Sequence, residues 1–266
     1  MSSITCKNNV KWHYEMTGSG DPIIFIHGFG GSCRWWWRQK VSFERDYQVL
    51  TFDLPGHGQS SWETVSLQEI AAGIRQILGD LNLETINVVA SSFGGLVAIE
   101  LYRLIPEQIS RISFVGALPK FARNDSYPAG LDIDKIRTLG EQFEGDYGLV
   151  LDIFFRSLFT KQERESPSFK ELKDLRQSER LPNREALKAF LDMLEKVDLR
   201  DRLSSIVCPV QFITGTKDYI CPTAVMEWVQ EHMPNARLDF IDGCGHLPFL
   251  TQAEKYNDLV ENFLIN

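Results

Sequence analysis

The sequence predicts a mostly parallel β-sheet with helices on both faces and an inserted helical cap. Three observations predict it. Strand-like and helix-like segments alternate through residues 1–118 and resume after residue 197, the order that builds a parallel sheet from crossover units. Several strand candidates are short and apolar throughout, such as Pro22–Ile26 and Ile86–Ala90, as strands buried on both faces are. From about Pro119 to Val197 the chain is charged and helical in period, with no strand signal.

In order along the chain, Val10–Met16, Pro22–Ile26 and Tyr47–Phe52 are expected strands. Leu67–Leu81 is an expected helix because Leu67, Ile70, Ala71, Ile74, Ile77, Leu78 and Leu81 share one face. Ile86–Ala90 is a strand, Phe93–Leu104 an apolar helix ending before Pro106, and Arg111–Val115 a strand. After the insert come the strands Val210–Thr214 and Leu238–Ile241, with the helix Thr223–His232 between them, and a last helix from Ala253 to Phe263. The expected organisation is an α/β core over 1–118, a helical cap over 119–197 and core again over 198–266. A cap inserted there lies over the carboxyl ends of the strands, where open α/β sheets bind ligands.

Composition narrows the function. The chain has 266 residues, 43% hydrophobic and 24% charged, with a formal net charge of −8. That is ordinary for a soluble globular domain, and its surface repels nucleic acid and anionic membrane. No apolar run is long enough to span a bilayer, and the N-terminus carries no secretory pattern. Five cysteines without C-x-x-C spacing indicate neither a disulfide framework nor a zinc site. The expectation is a cytoplasmic protein with no nucleic-acid or membrane partner.

Chemistry concentrates at the ends of the expected strands. Ala90-Ser91-Ser92-Phe93-Gly94-Gly95 joins a strand to a helix and reads as a nucleophile elbow, G-x-S-x-G, with alanine in place of the first glycine. Ser92 holds the nucleophile position and Ser91 is its rival. His27-Gly28-Phe29-Gly30-Gly31 follows an earlier strand. Such a loop can aim the N–H of Phe29 at a developing oxyanion, with the N–H of Phe93 as second donor. Asp218 and His246 each follow a later strand, in the order serine, acid, histidine. The expected catalytic residues are therefore Ser92, Asp218 and His246: nucleophile, orienting acid and base of an acyl-transfer mechanism that needs no metal and no cofactor. His13, His27, His57 and His232 are expected to be structural.

The stretches HGFGGS, DLPGHGQS, ASSFGG, GTKD and GHLPFL resemble the α/β-hydrolase superfamily over nearly the whole chain. Dehalogenases and epoxide hydrolases of that superfamily carry an aspartate nucleophile and dienelactone hydrolases a cysteine, so Ser92 points to a serine carboxylesterase. Residues 194–200 and 245–250, with Trp36, resemble the family of pimeloyl-acyl-carrier-protein methyl ester esterases of biotin synthesis. Phe29 stands where that family usually has tryptophan, and Thr251-Gln252 where it usually has proline. The resemblance implies that Phe29, Ser92, Phe93 and His246 line the substrate site. It also implies that Ile153, Phe154, Phe155, Arg156 and Ser157 of the cap touch the acyl chain, which is either a free ester or one linked to an acyl carrier protein.

Two cap features have both a functional and a plain reading. Ile153, Phe154, Phe155, Leu158 and Phe159 either wall an acyl tunnel or dock the cap. Lys173, Arg176 and Arg180 are spaced three and four apart, so on one helix they would share a face that an acidic carrier could use, or they are simply solvated. Other esterases, thioesterases and carbon–carbon bond hydrolases share the expected scaffold, and a non-catalytic ligand receptor is the alternative of another class.

Overall fold

Short runs with hardly a polar side chain can be hidden only in the middle of a sheet, and the structure puts them there. It is a computed structural model describing residues 2–265. Met1 and Asn266, the outer ends of the two expected core segments, lie outside the described residues. The strands are β1 (Ser2–Thr5), β2 (Lys11–Thr17), β3 (Asp21–Ile26), β4 (Tyr47–Phe52), β5 (Ile86–Ser91), β6 (Ile109–Val115), β7 (Val210–Gly215) and β8 (Arg237–Ile241). They form one sheet in the order β1-β2-β4-β3-β5-β6-β7-β8. Only β1 and β2 run antiparallel to their neighbours. This is the α/β-hydrolase fold.

The centre of the sheet is its driest part. Ile23 to Ile26 in β3 and Val88 to Ala90 in β5 are fully buried, and Ile26 stands opposite Ala90. Helix α2 (Leu67–Asp80) opens on a capping box between Ser66 and Glu69 and buries the apolar face expected of it. Helix α3 (Phe93–Leu104) is buried almost throughout. The strand β1 and the helix α1 (Trp37–Phe43) were not expected. β1 is mostly exposed and polar at the sheet edge, so it shows no apolar alternation. The tryptophan run 35–37 masks the start of α1 with a 3₁₀ turn over Cys33–Trp36.

Between β6 and β7 the chain forms five helices: α4 (Ile133–Gln142), α5 (Tyr147–Ser157), α6 (Lys161–Arg164), α7 (Pro167–Gln177) and α8 (Arg184–Lys196). Each begins where a side chain accepts a hydrogen bond from a first-turn N–H: Asp132, Asp146, Thr160, Ser166 and Asn183. Local sequence therefore divides the segment. The two ends of the insert meet at one neck, where Leu199 N–H donates to the Pro119 carbonyl and Lys120 pairs with Asp198 at 3.1 Å. After β7 and β8 the chain adds α9 (Thr223–His232), α10 (Pro248–Thr251) and α11 (Ala253–Ile265).

Trp36 knits these parts together. It is fully buried, stacks on Phe249 of α10 with centroids 4.1 Å apart, and lies 5.1 Å from Phe25 of β3. Trp35 is also buried, Trp37 only partly, and none of the three lines the cavity described below. Trp36→Ala should destabilise the fold by about 3–5 kcal/mol, the usual cost of truncating a buried aromatic. Urea denaturation measures it, and a loss below about 1 kcal/mol, in the range of surface changes, would refute this bridging role.

Candidate active site

The turn between β5 and α3 is built for close approach. Ser92 has φ 52° and ψ −120°, a conformation that a residue with a Cβ seldom adopts. Its N–H donates to the Val115 carbonyl at 3.0 Å and its carbonyl accepts from Gly95 N–H at 2.8 Å. A Cβ on Gly94 would come within 2.6 Å of the Ile26 carbonyl, and one on Gly28 within 2.9 Å of the Ser92 Cβ. Glycine is thus required on both sides of the turn. Ser92 opens onto a cavity, whereas Ser91 is fully buried and does not line it. Ser92 also stands at the N-terminus of α3, whose dipole favours negative charge there.

The loops after β7 and β8 bring Asp218 to His246. Nδ1 of His246 lies 2.8 Å from Oδ2 of Asp218, and both side chains are buried. Oδ1 of Asp218 accepts from the N–H groups of Ile220 and Cys221 at 2.8 and 3.0 Å. A carboxylate so placed accepts the proton on Nδ1, which makes Nε2 the unprotonated ring nitrogen. His246 lines the same cavity as Ser92. Donor atoms of Asp218, Cys221 and His246 lie within 4.8 Å of one another, as do those of His13, Glu15 and Cys33. In the first group, the Cys221 thiol donates to the Gly116 carbonyl at 2.9 Å.

The glycine-rich loop after β3 is held by two imidazoles, and a carboxylate holds the turn that follows it. His27 uses Nδ1 on the Gly28 carbonyl and accepts from Leu54 N–H at Nε2. His57 uses Nδ1 on the Pro55 carbonyl and accepts from Gly30 N–H at Nε2. Asp53 accepts from the N–H groups of Cys33 and Gln59, both at 2.8 Å. Among the described residues, the N–H groups of Phe29 and Phe93 are not spent on another protein group. Burial pushes His27 down to about 3, helped by its neighbour His57, and pushes His57 down to about 4. Both rings are neutral braces.

The cavity measures about 430 Å³. Ser92, His246 and Phe29 meet an apolar lining drawn from the insert, including Leu139 of α4, Val150 of α5 and Leu194 of α8. Of the five insert residues expected at the acyl chain, Ile153, Phe154 and Ser157 line it. Phe155 and Arg156 do not. Phe155 points off the opposite face of α5 and packs on Trp35, Phe159 and Phe169, and Arg156 is exposed. Phe93 likewise does not line the cavity; its ring stacks on Phe190 with centroids 4.3 Å apart. Tyr219 and Ile220 line the cavity unforeseen. Their place directly after Asp218 was the available signal.

The expected basic face does not form. Arg180 lies beyond the end of α7, and Arg176 is turned inward, pairing with Asp152 at 2.8 Å and resting over the Phe155 ring. Of those three residues, only Lys173 is an exposed cation on that helix. Arg176 holds α7 to α5 instead.

Residues 23–259 match a protein family described as the alpha/beta hydrolase family. The chain is similar to pimeloyl-[acyl-carrier protein] methyl ester esterase of Nitrosomonas europaea, 29% identical over 245 residues that cover 92% of this chain and 96% of that protein. It is also 29% identical over 245 residues to the protein of that name from Vibrio cholerae, covering 92% and 94%. Among solved structures, an esterase from Exiguobacterium antarcticum superposes with a TM-score of 0.91 at 25% identity, covering 100% of this chain and 99% of that one. A bromoperoxidase from Bacillus anthracis gives 0.90 at 27% identity, with both chains fully covered.

Because His27 and His57 resist protonation in the fold, the unfolded chain takes up these protons first. The stability this confers is complete above the ordinary histidine value and is lost as pH falls from about 6.5 toward about 4 and 3. The urea midpoint should therefore fall across that window. His57→Gln keeps one donor and one acceptor and should fall less steeply; an identical slope in the variant would remove His57 from this account.

Proposed function

We propose that this chain, which belongs to the alpha/beta hydrolase family, is a carboxylic ester hydrolase working through Ser92, His246 and Asp218. One observation carries the reading: the strained Ser92 turn and the His246–Asp218 pair open on one apolar cavity. The chemistry follows. Nε2 of His246 takes the Ser92 proton as Oγ attacks the ester carbonyl. Asp218 keeps the ring oriented and stabilises the imidazolium. The N–H groups of Phe29 and Phe93 stabilise the oxyanion. Collapse of the tetrahedral intermediate expels the alcohol, which receives the proton from His246. Water, deprotonated by the same nitrogen, then hydrolyses the acyl-enzyme.

The finer proposal is the substrate. Walls of leucine, valine and phenylalanine suit a methylene chain ending in a small, neutral ester. The relatives named pimeloyl-[acyl-carrier protein] methyl ester esterase, matched over most of both chains, support demethylation of a carrier-linked pimeloyl ester. An acyl carrier protein is then the partner, docking elsewhere than on the Lys173, Arg176 and Arg180 set. Five free cysteines among the described residues fit a cytoplasmic setting, and among those residues no helix is long and apolar enough to cross a membrane.

Ser92→Ala and His246→Ala should each lower kcat for p-nitrophenyl butyrate by about 10⁴-fold or more, since such residues act as a unit. Asp218→Asn should be nearly as severe. Full activity in Ser92→Ala would refute the nucleophile. Pimeloyl-carrier methyl ester should exceed p-nitrophenyl butyrate in kcat/KM. The reverse order would leave the esterase reading standing and remove the carrier substrate.

A further inference from the structure

Glu163 is a buried acid that the cavity does not account for. It is 5% exposed, on the single turn of α6, and does not line the cavity. Its carboxylate nevertheless accepts four hydrogen bonds. Oε2 takes the N–H of Thr160 at 2.7 Å and of Gly245 at 2.9 Å. Oε1 takes the Thr251 hydroxyl at 2.6 Å and the Cys244 thiol at 2.8 Å. The Thr160 bond belongs to a local capping box, which an exposed glutamate would serve equally well. The other three come from residues 81 to 88 positions away, and they flank His246 on both sides. His246 itself donates its N–H to the Leu158 carbonyl at 2.8 Å.

We propose that Glu163 is a positioning residue for His246, an insert carboxylate that clamps the loop carrying the base. The proposal rests on the reading of His246 as that base. The physical case is one of matching. Burying a carboxylate is costly unless donors surround it, and here donors reach both oxygens. An ionised carboxylate is acceptor-only. Glutamine has the same shape, but its amide must turn an NH₂ toward two donors, so the loop has to shift. Proton transfer from Ser92 tolerates little displacement of the ring. The insert thus supplies a wall of the cavity and also one of the anchors of the catalytic loop.

Loss of a clamp that only stabilised the fold would lower Tm and leave the kinetics of the folded enzyme alone. The test compares Glu163→Gln, Thr251→Val and Thr251→Ser with His246→Ala, using p-nitrophenyl butyrate and the low-field proton resonance of His246 Nδ1–H. Glu163→Gln should lower kcat by about 10- to 100-fold, the scale set by ångström-level misplacement, with KM nearly unchanged and the resonance shifted or broadened. Thr251→Val should lower kcat less, and Thr251→Ser, which keeps the hydroxyl, should restore it. Wild-type kcat and an unmoved resonance in Glu163→Gln would overturn the proposal. If that variant does not fold, equal kcat in the two Thr251 variants overturns it and a valine-specific loss supports it. An active His246→Ala would instead overturn the base assignment beneath it.

Discussion

The backbone of Ser92, at φ 52° and ψ −120°, costs on the order of 1–3 kcal/mol for a residue with a side chain, and its surroundings are arranged to hold it there. The carbonyl of Val115 and the N–H of Gly95 fix its two peptide groups. Ile26 of β3 presses its carbonyl against Gly94 so closely that no Cβ fits. That contact requires β3 and β5 to be neighbours, which in turn places the loop after β3 beside the serine. The order of the central strands and the geometry of the turn are one constraint expressed at two scales.

The same constraint calls for the surrounding loops to be tied down. A serine held in a strained turn is useful only if its partners hold their places. His27, His57 and Asp53 spend their hydrogen bonds on the glycine-rich loop, on Cys33 just after it and on residues 54–59, and Asp218 is fixed by two backbone N–H groups. The insert completes the arrangement. Phe154 meets Phe29 edge to face at 5.5 Å, and Arg176 lies 4.5 Å over the Phe155 ring while paired with Asp152. A cation pointed inward in this way contributes packing as well as charge, and it is not available to a partner.

The parallel core was legible in the sequence because buried strands leave unbroken apolar runs and because Gly94 and Gly95 mark a turn that only small residues can make. Placing Ser92, Asp218 and His246 at one sheet edge followed from their positions just after strands. What sequence spacing could not reveal was the orientation of side chains in the insert. Phe154 and Phe155 are adjacent and chemically alike, yet one faces the cavity and the other the Trp35 side. The three spaced cations suggested a shared face only on the assumption of one continuous helix, which ends at Gln177. Tertiary bonds such as those of Glu163 span more than eighty residues and leave no local pattern.

The account stands on Ser92 being a nucleophile that His246 activates. A fluorophosphonate probe followed by peptide mass mapping tests this most directly. One adduct per chain, located on Ser92 and lost in His246→Ala, is the predicted result. An adduct on Ser91, or the absence of any adduct on the folded protein, would contradict it.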